Sequence, residues 1–428
     1  MQHEKSTAFT KEILSSVLKE QREVFLAKDF GVQRELLNDL GGAMKSSQII
    51  VVTGLRRVGK STLLAQAAHA YLDDDFYFVN FEDERLLRFH VGDFDFLYET
   101  LLSLFGEKKT FLFDEIQNVP EWERFVRRLH DQGYKFIITG SNASLLSREL
   151  GTRLTGRTVR IEVFPFSFRE YLNFRKSEIP TLDVVTTKQK GMLLKHVDEY
   201  LALGGIPDAL KYPDLDIHKS LYHDVLYRDI ATRYQIDNIR RLKELAFFLI
   251  SNTGSSVSFN KLKESLTLGS VNTVKSYIEY FENSWLFFVV NKYAFSVKEQ
   301  QIAAKKIYSI DTGLARSVGF SFSENKGRFL ENLLFLHLRK KHSDIYYYKT
   351  KQDHEVDFFL PKIGIFIQVV QSIHDETTKK RELRALVEAA SEYKKKAKLF
   401  VVTQRDKETL IHDGYEISVV PMYEWLLQ

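Results

Sequence analysis

The sequence predicts an α/β protein whose N-terminal part is built on a parallel sheet, and two observations lead to this fold class. The first is an apolar run at residues 49–52, followed by a glycine-containing loop and then a stretch of helical character. The second is the alternation of strand-like and helix-like segments over residues 48–165. Such alternation is typical of a parallel sheet that binds its ligand at the carboxyl edge.

The loop after the first strand fits the phosphate-binding motif G-x-x-x-x-G-K-[ST]. Its glycines let backbone N–H groups point at phosphates without a Cβ in the way, and the following helix adds the positive end of its dipole. Lys60 is expected to reach the β- and γ-phosphates, and the Ser61 hydroxyl to bind Mg²⁺. The residues expected to bind nucleotide here are Gly54, Leu55, Arg56, Arg57, Val58, Gly59, Lys60, Ser61 and Thr62.

Two acidic residues end a later apolar strand, in the sequence FLFDE at residues 111–115. We expect Asp114 to hold Mg²⁺, directly or through water, and Glu115 to polarise the attacking water. A further strand, residues 135–140, is followed by Ser141 and Asn142. Either side chain could sense the γ-phosphate, with Ser141 slightly preferred; the alternative is an N-cap for a helix at residues 143–150.

Three arginines precede the last strand of this region, residues 158–163. Charge that develops on a γ-phosphate during hydrolysis is best met by a guanidinium, supplied by the same chain or by a neighbouring subunit of an oligomer. Arg148, Arg153 and Arg157 are therefore all candidates, and Arg157 is included among the predicted catalytic residues with Lys60 and Glu115. The alternative for each is a surface arginine on a loop.

The composition of the chain excludes some classes of protein and leaves others open. The 428 residues carry a formal net charge of +4, which is compatible with nucleic-acid binding but does not require it. The chain has no cysteine, so disulfides and thiolate metal sites are excluded. No apolar signal core or long apolar run is present, so we expect no transmembrane helix and a cytoplasmic location.

The order of these segments resembles the AAA-type ATPases of bacteria and archaea that carry a winged helix and a nuclease-like C-terminal domain. The motifs that carry the resemblance are GLRRVGKSTLL (54–64), FLFDEIQNV (111–119), ITGSNASLLS (138–147), LTGR (154–157), FPFSFREYL (164–172), YLALGGIPDAL (200–210), LYRDIATRY (226–234), IDTGL (310–314) and EVDFFL (355–360). The resemblance implies ATP binding and a helical lid, but no particular substrate. The expected domains are a helical leader (1–47) ended by Gly41 and Gly42, an ATPase core (48–165), the lid (166–237), a winged helix (238–297) and a restriction-endonuclease-like domain (298–428).

Residues 238–297 read as three helices and a strand, the shape of a DNA-reading helix-turn-helix. The third helix is expected to expose Asn272, Thr273, Lys275 and Ser276 toward phosphates or bases. Glu279 and Glu282 lie on the same helix, however, and winged helices also serve as protein-interaction modules. A DNA partner and a protein partner both remain open.

From residue 298 onward the sequence predicts helices around a small mixed sheet, with strands at residues 345–348, 356–360, 363–370, 399–403 and 417–421. This order resembles a restriction-endonuclease core, whose chemistry uses a helix Glu, a strand Asp and a Glu-x-Lys pair around Mg²⁺. Glu331 and Asp357 stand at the first two positions, but Gln368 and Val370 replace the Glu and the Lys. Gln is a poor Mg²⁺ ligand and Val carries no charge. We therefore expect a nuclease scaffold that has lost its activity.

The sequence thus favours a Mg²⁺-dependent ATPase that couples ATP hydrolysis to a DNA or protein partner. The alternatives are an ATP- or ADP-gated switch without turnover and, less favoured, a DNA-cleaving nuclease.

Overall fold

The structure is a computed structural model that describes residues 10–142, 154, 156–294, 296–320, 326–393 and 395–428. The chain separates into two compact units, Met1–Val163 and Phe164–Gln428. The predicted helix at residues 143–150, which includes Arg148, lies outside the described residues, as does Arg153.

The N-terminal unit contains five strands: β1 (Ile49–Gly54), β2 (Phe76–Asn80), β3 (Thr110–Asp114), β4 (Lys135–Gly140) and β5 (Thr158–Val163). They form one parallel sheet in the order β2-β3-β4-β1-β5, which confirms the predicted parallel α/β sheet. Because all the strands run in the same direction, their carboxyl ends meet at one edge of the sheet. The loops after β1, β3 and β4, which are neighbours in the sheet, therefore share that edge.

The helices of this unit are α1 (Lys11–Leu26), α2 (Leu37–Met44), α3 (Lys60–Tyr71), α4 (Phe94–Phe105) and α5 (Glu123–His130), with 3₁₀ turns at Glu84–Leu86, Val91–Asp93 and Ile116–Asn118. Helix α1 begins where Thr10 accepts a hydrogen bond from the N–H of Ile13, an N-cap. The core is rich in aromatic side chains, and its buried members include Tyr77, Phe94, Phe111, Phe113, Trp122 and Phe136.

The glycine pair that was expected to end the leader helix lies instead inside α2, so this prediction is wrong. The physical reason is a close approach: a Cβ added to Gly41 would come within 2.5 Å of the Tyr71 ring at the end of α3. Gly41 therefore serves packing rather than helix termination. The helical leader, expected over residues 1–47, contains two helices, α1 and α2, separated by residues 27–36.

The C-terminal unit contains nine strands: β6 (Ser256–Val257), β7 (Phe287–Lys292), β8 (Lys305–Ser309), β9 (Tyr346–Lys349), β10 (Glu355–Leu360), β11 (Ile365–Val369), β12 (Lys398–Thr403), β13 (Glu408–His412) and β14 (Tyr415–Pro421). They form one mixed sheet in the order β13-β14-β12-β11-β10-β9-β7-β8-β6. The expectation of a mixed C-terminal sheet is confirmed. Strands β6, β8 and β13 were not predicted.

Helices surround this sheet: α6 (Phe168–Phe174), α7 (Thr187–Leu203), α8 (Pro207–Lys211), α9 (Ile217–Asp224), α10 (Ile239–Ser251), α11 (Phe259–Ser265), α12 (Val271–Asn283), α13 (Val297–Ile302), α14 (Thr312–Val318), α15 (Lys326–Lys341), α16 (Glu376–Tyr393) and α17 (Met422–Leu427). A π-helical segment, Val225–Thr232, continues from α9, and Leu182–Val184 is a 3₁₀ turn. No helix in the part of the chain that the structure describes combines the length and apolar character needed to cross a membrane.

The glycine pair between α7 and α8 is fixed by an acidic side chain from the IDTGL motif. The N–H of Gly205 donates to Asp311 Oδ2 at 2.6 Å, while Asp311 Oδ1 accepts from the N–H of Leu314 at the start of α14. A Cβ at Gly204 would meet Asp311 Oδ1 at 2.0 Å, and its φ is +74°. Glycine is therefore required there both by space and by backbone conformation.

The expected boundary at residues 297 and 298 does not coincide with a structural division. Strand β7, before the boundary, pairs antiparallel with β8, after it, and parallel with β9. Strand β8 pairs in turn with β6. Residues 238–297 are thus not a separate sheet, and the strands on both sides of the boundary belong to one hydrogen-bonded ladder.

Candidate functional site

The phosphate loop leaves the carboxyl end of β1 and enters α3, and both of its glycines are required by geometry. A Cβ added to Gly54 would lie 2.3 Å from the Val163 carbonyl oxygen on the neighbouring strand β5. Gly59 has a φ of +97°, in the left-handed region that side chains disfavour. Leu55 and Val58 are fully buried and anchor the loop between the two glycines.

The first turn of α3 offers backbone donors to an anion. Gly59 is the N-cap and has no side chain to satisfy the first N–H groups of the helix. These groups lack partners within the helix by its geometry, and the helix dipole adds positive potential at the same place. Thr62, predicted as a contact residue, lies half-buried in this turn. The arrangement matches what a phosphate group needs.

The Lys60 ammonium is buried at the centre of the site, with 4% of the residue exposed. Its Nζ donates to the carbonyls of Gly54 and Leu55, both at 3.3 Å. It also lies 3.1 Å from Glu115 Oε1. The lysine therefore joins the phosphate loop to the loop that follows β3.

Asp114 ends β3 and is 4% exposed. Its carboxylate accepts hydrogen bonds from the hydroxyls of Ser61 and Thr139. Burial of the carboxyl, followed by repulsion from Glu115, raises the pKa of Asp114 above its ordinary value despite these bonds. A cation bound beside Asp114 would oppose that rise and hold the carboxylate ionised.

Glu115 adopts a left-handed backbone, with a φ of +51°, which is uncommon for a residue with a side chain. Its N–H donates to Thr139 Oγ1 at 3.0 Å, and its Oε2 accepts from the Ser141 N–H at 3.2 Å and from Gln117 Nε2. Burial alone would raise the pKa of Glu115, but the charge of Lys60 and the hydrogen bond from Gln117 outweigh it and hold the pKa below its ordinary value. The carboxylate is thus ionised and held in one orientation.

Ser61 and Asp114 supply the oxygen ligands expected for a hard divalent cation. One is a hydroxyl and the other a carboxylate, and the hydrogen bond between them places both at the same point. Among the described residues no group of three or more His, Cys, Asp or Glu side chains is arranged to hold a metal ion. The donor set therefore fits Mg²⁺ in the form in which phosphate oxygens and water complete the coordination.

Ser141 lies where the sequence placed it, beyond β4 and next to Glu115. Besides its N–H, its Oγ accepts from Gln117 Nε2 at 3.3 Å. Sequence reasoning missed two residues of this network, Gln117 and Thr139. Thr139 is a hydroxyl residue next to last on β4, and Gln117 follows the acidic pair by two positions, so both stood beside predicted residues.

Arg56 and Arg57 occupy the variable positions of the phosphate loop. Arg56 Nη1 lies 2.7 Å from Glu82 Oε1, and its charge contributes to the lowered pKa of Glu115. Arg57 takes a left-handed backbone with φ +61°. Arg34, from the segment after α1, donates to the Val58 carbonyl at 2.9 Å and so braces the loop from outside.

The assignment of Arg157 to its own chain's site is wrong. Arg157 precedes β5, whose first residue Thr158 pairs with Ile49 at the start of β1, whereas the phosphate loop begins at Gly54, opposite Val163. About six strand residues, or roughly 17–20 Å, separate the two ends. The Arg157 guanidinium instead lies 3.4 Å from Asp131. A role toward a neighbouring subunit stays a prediction.

The C-terminal unit brings together the acidic residues predicted for a nuclease. Glu331, on α15, and Asp357, on β10, both contact the ammonium of Lys306, which was not predicted. Gln368 lies beside them, and its amide oxygen accepts from the N–H of Asp357 at 3.0 Å. Val370 packs in an apolar cluster.

Comparison with known proteins assigns families to most of the chain. Residues 46–172 match the AAA domain family. Residues 194–325 and 326–425 match two domains of unknown function, DUF8612 and DUF4143. The first match includes the phosphate loop, Asp114 and Glu115, so the N-terminal unit carries a P-loop ATPase domain.

The uncharacterized protein MJ1544 of Methanocaldococcus jannaschii is 36% identical to this chain over 400 residues, which cover 89% of this chain and 88% of MJ1544. This chain belongs to the MJ1544 family. An uncharacterized protein of Haemophilus influenzae is 30% identical over 396 residues, covering 89% of this chain and 94% of the relative. The MJ1544 family therefore shares both units and not the AAA domain alone.

Two solved structures also match. Orc1 of Aeropyrum pernix in complex with DNA covers 74% of this chain and 98% of its own, at 14% identity and a TM-score of 0.31. AMPPCP-bound DnaA of Aquifex aeolicus covers 62% of this chain and 88% of its own, at 15% identity and a TM-score of 0.28. TM-scores this low do not establish a shared overall architecture.

Proposed function

We propose that this member of the MJ1544 family binds ATP with Mg²⁺ and hydrolyses it at the carboxyl edge of the N-terminal sheet. The observation that carries the proposal is the convergence of Lys60, Ser61, Asp114 and Glu115 from two separate loops. A structural turn needs neither a buried ammonium nor a buried carboxylate followed directly by a second, half-buried one. A triphosphate needs cationic and N–H donors on one side and a positioned base on the other.

The roles follow from the contacts. Backbone N–H groups of the loop and of α3 bind the phosphates, and Lys60 neutralises the β- and γ-phosphates. Ser61 and Asp114 would hold Mg²⁺, which when bound neutralises phosphate charge. Glu115, held by Ser141 and Gln117, orients and deprotonates the attacking water.

Nucleotide binding would change the ion-pair partner of Lys60, which pairs with Glu115 in this structure. Phosphate oxygens compete with Glu115 for the Lys60 ammonium, so occupancy of the site releases the carboxylate to accept a proton from water. The hydrogen bonds from Ser141 and Gln117 remain available to keep the carboxylate in place. The pair thus keeps a buried charge compensated while the site is free of nucleotide.

Nucleotide affinity tests the first half of the proposal. Lys60→Met should weaken ATP binding about 10- to 100-fold, since it removes charge-assisted contacts to phosphate. Lys109→Met is the matched control, because Lys109 is an exposed lysine that precedes β3 and pairs with Glu107. Equal ATP affinity of wild type and Lys60→Met, measured by isothermal titration calorimetry, would contradict the assignment of the loop.

The finer part of the proposal is coupling of ATP turnover to a partner through a winged helix. The proposed winged helix, residues 238–297, would consist of α10, α11 and α12 with strands β6 and β7. Strand β8, which lies beyond residue 297 and pairs antiparallel with β7, would complete its wing. Helix α12 exposes Asn272 and Lys275, which suits a duplex DNA, and also Glu279, which suits a protein. Residues 166–237, the proposed lid, would transmit the nucleotide state.

ATP turnover with and without duplex DNA, at two salt concentrations, separates the partners. Stimulation by DNA that Lys275→Ala reduces and that weakens with salt supports a DNA partner. Turnover indifferent to DNA favours a protein partner. Tight ATP or ADP binding with no multiple turnover under any condition favours the nucleotide-gated switch instead.

A further inference from the structure

Three carboxylates in the C-terminal unit surround one lysine. The Lys306 Nζ lies 2.8 Å from Glu331 Oε1, 2.8 Å from Glu355 Oε1 and 2.9 Å from Asp357 Oδ1. Lys306 is 2% exposed, so its ammonium is almost completely removed from water. These three carboxylates come from helix α15 and strand β10, and the lysine from β8. We call them the carboxylate cluster.

Neighbouring groups hold the cluster in place. The Tyr308 hydroxyl donates to Glu331 Oε1 at 2.7 Å, and Asp357 Oδ2 accepts from the Val369 N–H at 2.9 Å. Glu331 and Asp357 therefore each accept one hydrogen bond from the Lys306 ammonium and one from a second donor. Their orientation is determined on two sides, as it is for carboxylates that ligate a metal.

Gln368 stands where a nuclease would use a third carboxylate, and its amide is fully engaged. Its Oε1 accepts from the Asp357 N–H, and its Nε2 donates to the Glu355 carbonyl at 3.2 Å and to the Glu382 carboxylate. The amide thus fastens the strand pair β10–β11 to α16. No oxygen of Gln368 is turned toward a cation in this arrangement.

Three carboxylates with one ammonium carry a formal charge of −2, and the ammonium occupies the point that all three oxygens share. Oxygen-to-nitrogen distances of 2.8–2.9 Å are somewhat longer than the 2.3–2.6 Å typical of Ca²⁺ and the roughly 2.1 Å of Mg²⁺. The three ion pairs of Lys306 compensate the cost of burying its ammonium.

We propose that the Lys306 ammonium takes the place of a divalent metal ion at the carboxylate cluster, so that the chain keeps a nuclease-type acidic site as a closed internal ion cluster. Two consequences follow. The wild-type protein binds no divalent cation at Asp357 and cleaves no DNA there. Removal of the lysine opens a divalent-cation site made by Glu331, Glu355 and Asp357.

Direct Mn²⁺ binding to the full chain, without nucleotide and followed by electron paramagnetic resonance of free Mn²⁺, tests this. Lys306→Met should bind one Mn²⁺ per chain more than wild type, with a Kd of about 1 mM or tighter. The gained site should disappear in the double variant Lys306→Met/Asp357→Asn. Mn²⁺ at about ten times its Kd should raise the Tm of Lys306→Met by about 2–4 °C relative to its effect on wild type.

Lys305→Met is the matched control, since Lys305 is the preceding residue on β8 and is 7% exposed, with its Nζ donating to the Gln300 carbonyl. It should gain no Mn²⁺ site. If Lys306→Met does not fold, Lys306→Met/Glu331→Gln restores the formal charge of −2 and should show the same gain in weaker form. Mn²⁺ binding by wild type that Asp357→Asn abolishes, or the absence of any gain in a folded Lys306 variant, would overturn the proposal.

Discussion

Replacing Thr139 by Val keeps the shape of the side chain and removes one hydroxyl that two acidic residues of the site share. Thr139 is 1% exposed. Its Oγ1 donates to the Asp114 carboxylate and accepts from the N–H of Glu115 at 3.0 Å. Loss of a hydrogen bond to a charged group weakens stability by about 1.5–3 kcal/mol, and a buried N–H without an acceptor costs about 1–3 kcal/mol.

The lost hydrogen bond to Asp114 and the unpaired N–H of Glu115 both involve Thr139 Oγ1, so their free energies are not additive. We therefore expect Thr139→Val to lower the free energy of unfolding by about 2–5 kcal/mol. Urea denaturation with tryptophan fluorescence measures it, since Trp122 is buried and is the one tryptophan in residues 1–163. ATP turnover should fall as well, because Glu115 loses the contact that fixes its left-handed backbone.

Thr53→Val is the control for this substitution. Thr53 is fully buried on β1, and its Oγ1 has no hydrogen-bond partner among the described residues. The same change there should be neutral or stabilising by up to about 1 kcal/mol. If both variants lose the same stability, the hydrogen bonds of Thr139 are not what holds the acidic pair.

Two further substitutions test other parts of the chain. Arg157→Ala should leave the ATP affinity of the monomer unchanged within about twofold, because Arg157 lies at the far edge of the sheet; a tenfold loss in calorimetry would contradict that placement. Burial lowers the pKa of His337 from 6.5 to about 3, so protonation favours the unfolded chain and the free energy of unfolding should decline as the pH falls below about 6.5. His337→Gln should flatten this decline in urea denaturation between pH 7 and about 4, and an unchanged slope would show that His337 is not its source.

The candidate site could be predicted from sequence where function depends on short motifs. Gly54 to Ser61 and the pair Asp114–Glu115 each lie within a single strand–loop unit, and the parallel sheet alone brings the two units together. The supporting contacts could not be predicted in the same way. Thr139 bridges Asp114 and Glu115 because of the register between β3 and β4, and this register cannot be predicted from local sequence.

Arg157 shows a different limit. Residue type and distance along the chain made it a plausible partner of phosphate, but the direction of β5 places the start of that strand away from the ligand edge. The direction of β5 in a parallel sheet is therefore sufficient to exclude Arg157 from the phosphate site of its own chain. The prediction for Gly41 failed for another reason. A glycine is needed there because the Tyr71 ring approaches closely, and in the sequence such a glycine looks the same as one that ends a helix.

The C-terminal unit was the least predictable part. Strand β8 has the sequence KKIYS, with two charged residues at its start and no alternation of polar and apolar residues. It nevertheless places Lys306 in the carboxylate cluster. The long-range pairings β7–β8 and β7–β9 join segments that the family resemblance assigns to two domains, 238–297 and 298–428. Such pairings are set by packing of the whole sheet rather than by local preference.

Multiple-turnover phosphate release from ATP by wild type and by Glu115→Gln, with ATP affinity measured on the same samples, tests the central claim most directly. Glu115 is held by Ser141 and Gln117 beside Lys60, so the amide variant should keep its ATP affinity within about threefold while turnover falls at least about 100-fold. Equal turnover by the two proteins would contradict the role of Glu115, and no measurable affinity of wild type for ATP would contradict the site itself.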